Sequence, residues 1–280
     1  MKFTKIAAVA AGLTLTLSMA ACNAQEGVPG GQGGEGGGKP IKIGIKYDQP
    51  GLGLKEGNSY TGFDVEVAKY VAKELGHNEG DIEFIETPSA QRETMLQGGQ
   101  VDMIFATYSI TDARKEKVSF AGPYFVAGQD LLIKQDANLT KDSLDGKKLC
   151  SVAGSTPAQK VKDKYAKTVE LQEYDTYSKC VEALNSGAVD ALTTDDVILA
   201  GYAAQEQYKG KLKVVGDPFT TEKYGVGIKK GDAEQCNKIN AAITKMIDSG
   251  EWQKALDSTV GASGFKPNTE NNPPKPEPCA

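Results

Sequence analysis

The segments IKIGI at 41–45, DVEVAKYVAKELG at 64–76 and IEFI at 82–85 follow one another in the N-terminal part of the chain. The first alternates at period two, which predicts a strand. In the second, apolar residues recur at helical spacing until Gly76 ends the run, and the third is again a short apolar strand. A strand, a helix and a second strand in this order indicate an α/β fold.

The same alternation of strands and helices continues through the rest of the chain. We predict helices at 92–98, 158–166, 177–185 and 233–247, another around Trp252 and Leu256, and strands at 101–105, 148–152, 169–171, 189–192, 212–215 and 224–228. This gives two units of the form strand–helix–strand–helix–strand, the second of which begins near Leu131. Open α/β sheets bind ligands at the carboxyl ends of their strands, so two lobes facing each other predict a binding cleft.

The composition excludes several classes of protein. The chain of 280 residues has 32 Lys and Arg against 37 Asp and Glu, which argues against a nucleic-acid-binding protein because such a protein needs a basic face. The single histidine, His77, excludes most histidine-based catalysis and metal binding. The sequence contains no G-x-S-x-G motif and no P-loop. We therefore expect neither a metal nor a cofactor.

The N-terminal residues have the features of an export signal. Lys2 and Lys5 provide positive charge, and the apolar run at 6–21 is too short to span a membrane comfortably. We expect residues 1–21 to be a signal peptide that is removed on export. Residues 22–38 are rich in glycine and predict a flexible tether between the export signal and the folded body.

The end of the export signal, LSMAAC at 17–22, resembles a bacterial lipobox, although Met19 stands where Leu is usual. We therefore expect Cys22 to carry a lipid that anchors the protein to the extracytoplasmic face of the cell membrane. The alternative is simple secretion with Cys22 as an unmodified thiol.

Four cysteines follow Cys22, in a compartment that favours disulfides. They are Cys150, Cys180, Cys236 and Cys279. No pair has the spacing of a zinc site, and three pairings are possible. We favour Cys150–Cys180 with Cys236–Cys279, because the second bond would then hold the proline-rich tail at 263–280. The rival is a free Cys279 on a disordered tail.

Several short motifs occur in the order and spacing of one protein family. They are YTGFDVEVA at 60–68, SITDAR at 109–114 followed by VSF at 118–120 and GPY at 122–124, GST at 154–156, and DA at 190–191 with Asp195. Together they resemble the polar amino-acid-binding proteins of ABC importers (solute-binding protein family 3), and most of all the glutamate-binding lipoproteins of Gram-positive bacteria. The resemblance extends from Lys39 to about Gly261.

The resemblance implies a fold and a function. The fold is α/β and two-lobed, like the periplasmic binding proteins, with two hinge strands (type II) near 126–130 and 219–223. Lobe 1 would comprise 39–126 plus 222–262, and lobe 2 would comprise 127–221. The implied function is not enzymatic: the protein would deliver glutamate, or aspartate or glutamine, to the permease and ATPase subunits of an importer. We expect a monomer that binds no nucleic acid.

An amino-acid site must neutralise an α-carboxylate and an α-ammonium group away from water, because a buried charge without a partner is unfavourable. The resemblance places Arg114 on the α-carboxylate, and the alternative is a surface ion pair with Asp112 or Glu116. It places Asp195 on the ammonium group, with the neighbouring Asp196 as the competing residue.

The sequence GSTP at 154–157 predicts a strand end, a glycine that allows close approach, and a helix that begins at a proline. Free N–H groups at a helix start attract anions, so Ser155 and Thr156 are expected to help bind a carboxylate; the alternative is an ordinary N-cap. Thr107 and Ser109 match family positions that offer hydroxyl and backbone groups, and alternation puts both on one face of an extended segment.

The stretch from Ser89 to Arg92 resembles the one that supplies a second arginine in glutamate and aspartate binders. Arg92 is therefore expected to bind the γ-carboxylate, and the alternative is a solvated helix arginine. Lys46, just past the first strand, and Tyr177 complete the candidate set. Gln49 stands near the position where many relatives carry an aromatic residue, so that stacking contact is expected to be missing.

Two other classes of function compete with a binding protein. Small dehydratase-type enzymes share the scaffold, but such an enzyme needs a positioned acid or base, and the single histidine follows Gly76 at a helix end where exposure is expected. A sensor fused to further domains is the other class, but the sequence predicts no transmembrane helix and no further domain.

Overall fold

The computed structural model describes residues 40–165 and 168–279. The predicted signal peptide, Cys22 and the tether at 22–38 lie outside the described residues, as does Ala166 at the end of a predicted helix. Within the described ranges, no helix combines the length and the apolar character needed to cross a membrane.

Strands and helices alternate along the described chain. The strands are β1 (Ile41–Ile45), β2 (Asp48–Gln49), β3 (Gly53–Glu56), β4 (Ser59–Thr61), β5 (Ile82–Glu86), β6 (Met103–Ile104), β7 (Ser119–Ala127), β8 (Gln129–Lys134), β9 (Lys148–Val152), β10 (Glu170–Tyr174), β11 (Ala191–Asp195), β12 (Leu212–Val214) and β13 (Glu222–Ile228). The helices are α1 (Phe63–Glu74), α2 (Arg92–Gln97), α3 (Asp112–Lys115), α4 (Thr156–Tyr165), α5 (Tyr177–Ser186), α6 (Asp196–Ala203), α7 (Ala233–Asp248) and α8 (Glu251–Thr259).

Two five-stranded sheets form the centres of the two lobes. In lobe 1 the strand order is β5-β1-β6-β13-β7, with β1 parallel to β5 and β6, and with β13 antiparallel to its two neighbours. In lobe 2 the order is β10-β9-β11-β8-β12, with β9 parallel to β10 and β11, and with β8 antiparallel to its neighbours. The predicted two-lobed α/β fold is confirmed.

The apolar stripe of α1 fills the core of lobe 1. Four residues of the predicted stripe are fully buried, Val67, Ala68, Val71 and Ala72, whereas the fifth, Leu75, lies just past the helix and is half-buried. At the start of this helix the Phe63 ring centroid lies 5.5 Å from that of Trp252 in α8 and 5.7 Å from that of Phe125 in β7. These ring contacts join α1 to the sheet and to α8.

Two crossings of the chain connect the lobes. β7 continues into β8 through Gly128, and the chain returns between β12 and β13. The crossings are hydrogen-bonded to each other, since the Gln129 N–H donates to Thr220 Oγ1 and the Phe219 N–H donates to the Gln129 carbonyl, both at 2.9 Å. A Cβ atom on Gly128 would lie 2.9 Å from the Thr220 carbonyl oxygen, so this approach requires glycine.

The small sheet of β2, β3 and β4, the strand β7 and the helices α3 and α6 have no counterpart among the predicted helices and strands, whereas β8 lies where the second unit is predicted to begin, near Leu131. Most residues of β7 and α6 are buried, and a buried segment lacks the alternation or the helical spacing on which prediction depends. The strand β6 covers only Met103–Ile104, so the predicted strand at 101–105 is too long at both ends.

The two favoured disulfides are present. Cys150 in β9 is bonded to Cys180 in α5, and Cys236 in α7 is bonded to Cys279 in the tail. The rival prediction of a free Cys279 is therefore wrong.

The tail lies along β7, which is an edge strand of the lobe 1 sheet. The Val126 N–H donates to Asn272 Oδ1 at 2.9 Å, and Asn272 Nδ2 donates to the Val126 carbonyl at 2.8 Å. The Glu277 N–H donates to the Gly122 carbonyl at 2.7 Å. The tail thus satisfies backbone groups that an edge strand otherwise presents to solvent.

Candidate ligand-binding site

The predicted binding residues converge between the lobes. They enclose a small cavity of about 10 Å³, lined by Ser89, Arg92, Thr107, Arg114, Ser155, Thr156, Pro157, Tyr177, Asp195 and Ile198. Eight of these ten are predicted site residues, and Pro157 and Ile198 are additions. A ligand of amino-acid size can enter only when the lobes separate, as hinged binding domains do.

Direct contacts across the cleft hold its walls together. Ser109, which does not line the cavity, places its Oγ 3.2 Å from Thr156 Oγ1. A Cβ atom on Gly154 would lie 2.7 Å from Ala90 Cα, so the lobes approach this closely because residue 154 is glycine. Beside the cavity is a wider groove of about 550 Å³ that shares Ser89, Arg114, Ser155 and Thr156 with it.

Arg114 is held by partners on both lobes. Its Nη1 donates to the Ser109 carbonyl at 2.8 Å, and its Nη2 donates to the Gly154 carbonyl at 3.2 Å. Its Nε lies 3.4 Å from Glu93 Oε1. The residue is 8% exposed, so the alternative of a surface ion pair with Asp112 or Glu116 is wrong. Two carbonyl groups and one carboxylate of the protein therefore hold the Arg114 guanidinium group in place at the cavity.

Arg92, at the start of α2, has far fewer partners. Its Nε donates to the Thr87 carbonyl at 3.4 Å, and in the described part of the chain no carboxylate lies within 4.0 Å of its guanidinium nitrogens. The residue is only 2% exposed, which contradicts the alternative of a solvated helix arginine. Burial and the nearby charge of Arg114 lower the pKa of Arg92. Its cation is therefore buried without an anion.

Tyr108 connects the two arginines. Its ring centroid lies 4.8 Å from Arg114 Cζ and 5.1 Å from Arg92 Cζ, which are cation–π distances. Its hydroxyl donates to Glu93 Oε1 at 2.9 Å, the same oxygen that faces Arg114. The ring therefore contacts both guanidinium groups in the lobe 1 wall of the cavity, and the Glu93 carboxylate holds that of Arg114.

Asp195 ends β11 in the opposite wall and is 2% exposed. Its Oδ2 accepts from the Tyr224 hydroxyl at 2.6 Å, whereas its Oδ1 has no hydrogen-bond partner within residues 40–165 and 168–279. Burial and the charge of Glu222 raise the pKa of Asp195. A buried carboxylate oxygen without a donor is suited to an incoming ammonium group.

Asp196, the competing residue, is used elsewhere. Its Oδ1 accepts from the Gly128 N–H at 3.2 Å and from the Val197 N–H at 2.8 Å, so it ties α6 to the first chain crossing. Burial raises the pKa of Asp196 to about 6. Asp195 lines the cavity and Asp196 does not.

The turn at 154–156 has the geometry that its sequence predicts. Gly154 has a φ of 75°, and α4 begins at Thr156. Ser155 Oγ accepts from the Ala158 N–H at 3.1 Å, so its hydroxyl caps the helix. The Thr156 hydroxyl donates to Glu222 Oε2 at 3.1 Å. The hydroxyls of this turn thus bond within the protein. The N–H groups of Ser155, Ala158 and Gln159 also donate within the protein and Pro157 has none, so across 155–159 the Thr156 N–H is the group for which the described residues show no acceptor.

Thr107 lines the cavity from an irregular segment. Its φ of 46° is unusual for a β-branched residue, so the predicted alternation of Thr107 and Ser109 along an extended strand does not hold. The Thr107 N–H donates to Asp64 Oδ2 at 2.9 Å, and the Tyr124 hydroxyl donates to Asp64 Oδ1 at 2.7 Å. Burial raises the pKa of Asp64 to about 6. This buried carboxylate holds the Thr107 backbone in place.

Lys46 lies outside the cavity lining. Its fully buried ammonium group is 3.3 Å from Asp48 Oδ1, and burial lowers the pKa of Lys46. Asp48 Oδ2 also accepts from the Ser178 N–H at 3.2 Å and from the Tyr202 hydroxyl at 3.0 Å, both in lobe 2. Lys46 therefore already has an anion, unlike Arg92.

Tyr177 and Gln49 are both buried. Burial and the charge of Asp195 raise the pKa of Tyr177 to about 12, so its hydroxyl stays protonated beside that carboxylate. Gln49 Oε1 lies 3.3 Å from Thr107 Oγ1, so its amide contacts a residue of the cavity lining.

Sequence reasoning missed Tyr108, Glu93 and Glu222. Tyr108 and Glu93 are sequence neighbours of predicted site residues, and this proximity could have indicated that they lie at the site. Glu222 is 66 residues from Thr156, and nothing in the sequence joins the two.

A two-lobed α/β fold with buried, opposed charges in its cleft suits a protein that binds a small charged solute. Residues 41–262 match the bacterial extracellular solute-binding proteins, family 3. The chain belongs to this family, which confirms the resemblance and places the protein outside the cytoplasm.

Named relatives agree with this membership. The chain is 50% identical over 268 residues to the glutamate-binding protein GluB of Corynebacterium efficiens, covering 91% of this chain and 88% of that protein. It is 38% identical over 218 residues to the ABC transporter glutamine-binding protein GlnH of Bacillus subtilis, covering 76% and 78%. A solved ancestral arginine-binding protein bound to arginine has a TM-score of 0.73 and 34% identity, covering 78% and 97%. These relatives are binding proteins, so the dehydratase alternative is not favoured.

Proposed function

We propose that this protein binds glutamate and delivers it to an ABC importer. The observation that carries the proposal is the pair of buried guanidinium groups, Arg92 and Arg114, within 5.1 Å of one tyrosine ring. Arg114 has Glu93 beside it, whereas Arg92 has no carboxylate in ion-pair contact among the described residues. A ligand with a second carboxylate gives Arg92 the anion that its burial demands.

Each charged group of glutamate then has a counterpart in the cavity. The α-carboxylate binds Arg114 and the Thr156 N–H at the start of α4. The α-ammonium group binds Asp195 through the unpartnered Oδ1. The γ-carboxylate binds Arg92, with the Ser89 hydroxyl as a further donor. Ligand charges fall on opposite walls, so binding favours the closed arrangement of the lobes.

Glutamine and aspartate are the competing ligands. Glutamine would leave the Arg92 cation buried without an anion, although a relative 38% identical is named a glutamine-binding protein. Aspartate carries both carboxylates but is one methylene group shorter, so it engages both arginines less well. The relative at 50% identity, named a glutamate-binding protein, supports glutamate.

We further propose how the protein is organised at the membrane. Residues 1–21 are a signal peptide, Cys22 carries the lipid, and residues 22–38 are the tether. Lobe 1 comprises 39–126 plus 222–262 and lobe 2 comprises 127–221, a division that the strand orders support. The protein acts as a monomer that presents its ligand to the permease and ATPase subunits.

Isothermal titration calorimetry with glutamate, aspartate, glutamine and asparagine tests the proposed ligand. We expect glutamate to bind at micromolar Kd or tighter, equivalent to about −8 kcal/mol or better. Glutamine and asparagine should bind more weakly than glutamate at the same pH. A clear preference for glutamine, or no heat with any of the four, would overturn the proposal.

A further inference from the structure

Glu222 is a buried carboxylate at the second chain crossing to which the binding scheme gives no part. It is 2% exposed and begins β13. Its Oε1 accepts from Thr220 Oγ1 at 2.9 Å and forms an ion pair with Lys160 of α4, while its Oε2 accepts from Thr156 Oγ1 at 3.1 Å. Glu222 therefore reaches the cavity through a residue that lines it.

This contact fixes the direction of a short chain of hydroxyl groups. The Thr156 hydroxyl has one proton, and a carboxylate can only accept, so that proton points to Glu222. Toward every other neighbour Thr156 Oγ1 is then an acceptor. Ser109 Oγ, 3.2 Å away, consequently donates to Thr156 Oγ1. With its proton used in this way, the Ser109 hydroxyl can only accept a hydrogen bond from any further partner.

The cavity lining contains a further acceptor without a donor. Asp195 Oδ1 has no hydrogen-bond partner in the described ranges, and Asp195 and Thr156 both line the cavity. A cationic donor, which offers three N–H groups and no acceptor, matches such a set of oxygens. A neutral or anionic group does not.

We infer that Glu222 is a positioning residue that holds the Thr156 hydroxyl as a hydrogen-bond acceptor for the ammonium group of the ligand. The inference rests on the proposed function, because it assumes an α-amino acid in the cavity. It revises the expectation for Thr156, whose hydroxyl proton is not available to a ligand carboxylate. Glu222 thereby contributes to selecting ligands that carry a protonated amino group.

A merely structural role for Glu222, as an anchor for α4 through Lys160, makes different predictions. The variant Glu222→Gln keeps the shape of the side chain, but its amide can donate to Thr156 and reverse the hydroxyl chain. We expect glutamate affinity to fall about tenfold, the usual scale for one hydrogen bond to a charged group. An anchor alone would lower the melting temperature and change affinity little.

The variant Thr156→Val separates the two roles. Because Glu222 acts on the ligand through the Thr156 hydroxyl, Glu222→Gln should reduce glutamate affinity much less in the Thr156→Val background than in the natural chain. Calorimetry on the four proteins of this cycle measures the coupling. Equal losses in both backgrounds would overturn the inference.

The pH dependence of glutamate binding is a further test, because a variant that merely destabilises the fold is not expected to shift it in the directions given below. The charged and titratable groups that face Asp195 are Tyr224 and Glu222 of β13, Tyr177 of α5, Lys160 of α4 and Asp196 of α6. The charge of Glu222 raises the pKa of Asp195 and that of Lys160 lowers it. Loss of glutamate binding on acidification should therefore begin at lower pH in Glu222→Gln and at higher pH in the matched control Lys160→Met.

Shifts of the two variants in the same direction, or no shift in either, would contradict the inference. The wild-type protein separates this result from the proposed function. If wild type binds no amino acid, the proposed function fails; if wild type binds glutamate and Glu222→Gln binds it equally well, the inference about Glu222 alone fails.

Discussion

The two buried arginines of lobe 1 share a tyrosine ring but differ in what holds them. Arg114 donates to the carbonyls of Ser109 and Gly154 and faces Glu93. Arg92 has the Thr87 carbonyl at 3.4 Å and no carboxylate at ion-pair distance in the described part of the chain. The protein itself therefore supplies hydrogen-bond acceptors and an anion for the Arg114 cation, but no anion for the Arg92 cation.

This difference separates general recognition from specificity. A compensated, rigid arginine suits a group that every ligand of the class carries, which is the α-carboxylate. An uncompensated buried arginine penalises any ligand that fails to bring an anion to it. Under the proposed function, affinity for amino acids therefore rests on Arg114 and the preference for an acidic side chain rests on Arg92.

Substitution of Arg114 should have the largest effect. Arg114→Met removes the contact to the α-carboxylate and leaves Glu93 with fewer partners, so we expect a loss at the upper end of roughly 2–5 kcal/mol. Glutamate and glutamine should lose the same amount, because both carry the α-carboxylate. Calorimetry measures the two affinities, and circular dichroism checks that the variant is folded. A loss confined to glutamate would reverse the roles of the two arginines.

Acidification should have the next largest effect and should act on the opposite wall. Because the pKa of Asp195 is raised, this carboxylate gains its proton at higher pH than an ordinary aspartate, and it then no longer attracts the ammonium group. Glutamate affinity should fall as the solution is acidified from neutral pH, by at most about tenfold per pH unit.

The control for acidification is Asp195→Asn, which should bind glutamate weakly and with a flatter pH profile. Asp64 and Asp196, whose pKa values are both about 6, also titrate in this range and remain in the control. A profile that stays equally steep in Asp195→Asn would assign the pH dependence to those residues.

Loss of the tail disulfide should have the smallest effect on affinity. The double substitution of Cys236 and Cys279 by Ser frees a tail that contacts β7 outside the cavity, so the Kd for glutamate should change less than about threefold, well under 1 kcal/mol. The melting temperature should fall, since the bond closes a loop of 43 residues and is worth up to about 4 kcal/mol in the chain-entropy account.

The matched control replaces Cys150 and Cys180, which join β9 and α5, the elements that lead into the turn at 154–156 and carry Tyr177. That pair should affect glutamate affinity more than the tail pair. A larger loss from the tail pair would show that the tail governs the site.

Much of the fold could be predicted because its signals are local. The stripe of α1 follows from helical spacing, and the turn at 154–156 follows from Gly, hydroxyl and Pro in order. The helix α6 could not be predicted in the same way, since a helix buried on most sides has no polar face to set a period.

The candidate site divides along similar lines. Family motifs supply most of the residues that line the cavity, because each motif is continuous in sequence. Contacts between residues that are distant in sequence could not be predicted. Tyr108 contacts both arginines, and Glu222 contacts Thr156, only in the folded chain. The lack of an anion beside Arg92 is likewise a property of three-dimensional packing, not of sequence.

The most direct test of the central claim is a calorimetric comparison of glutamate and glutamine binding to the wild-type protein and to Arg92→Met at one pH and salt concentration. If Arg92 binds the γ-carboxylate, the variant should lose roughly 2–5 kcal/mol for glutamate and much less for glutamine, so the preference for glutamate shrinks or reverses. Equal losses for the two ligands, with the fold intact, would contradict the account and leave Lys46 as the next candidate for the γ-carboxylate.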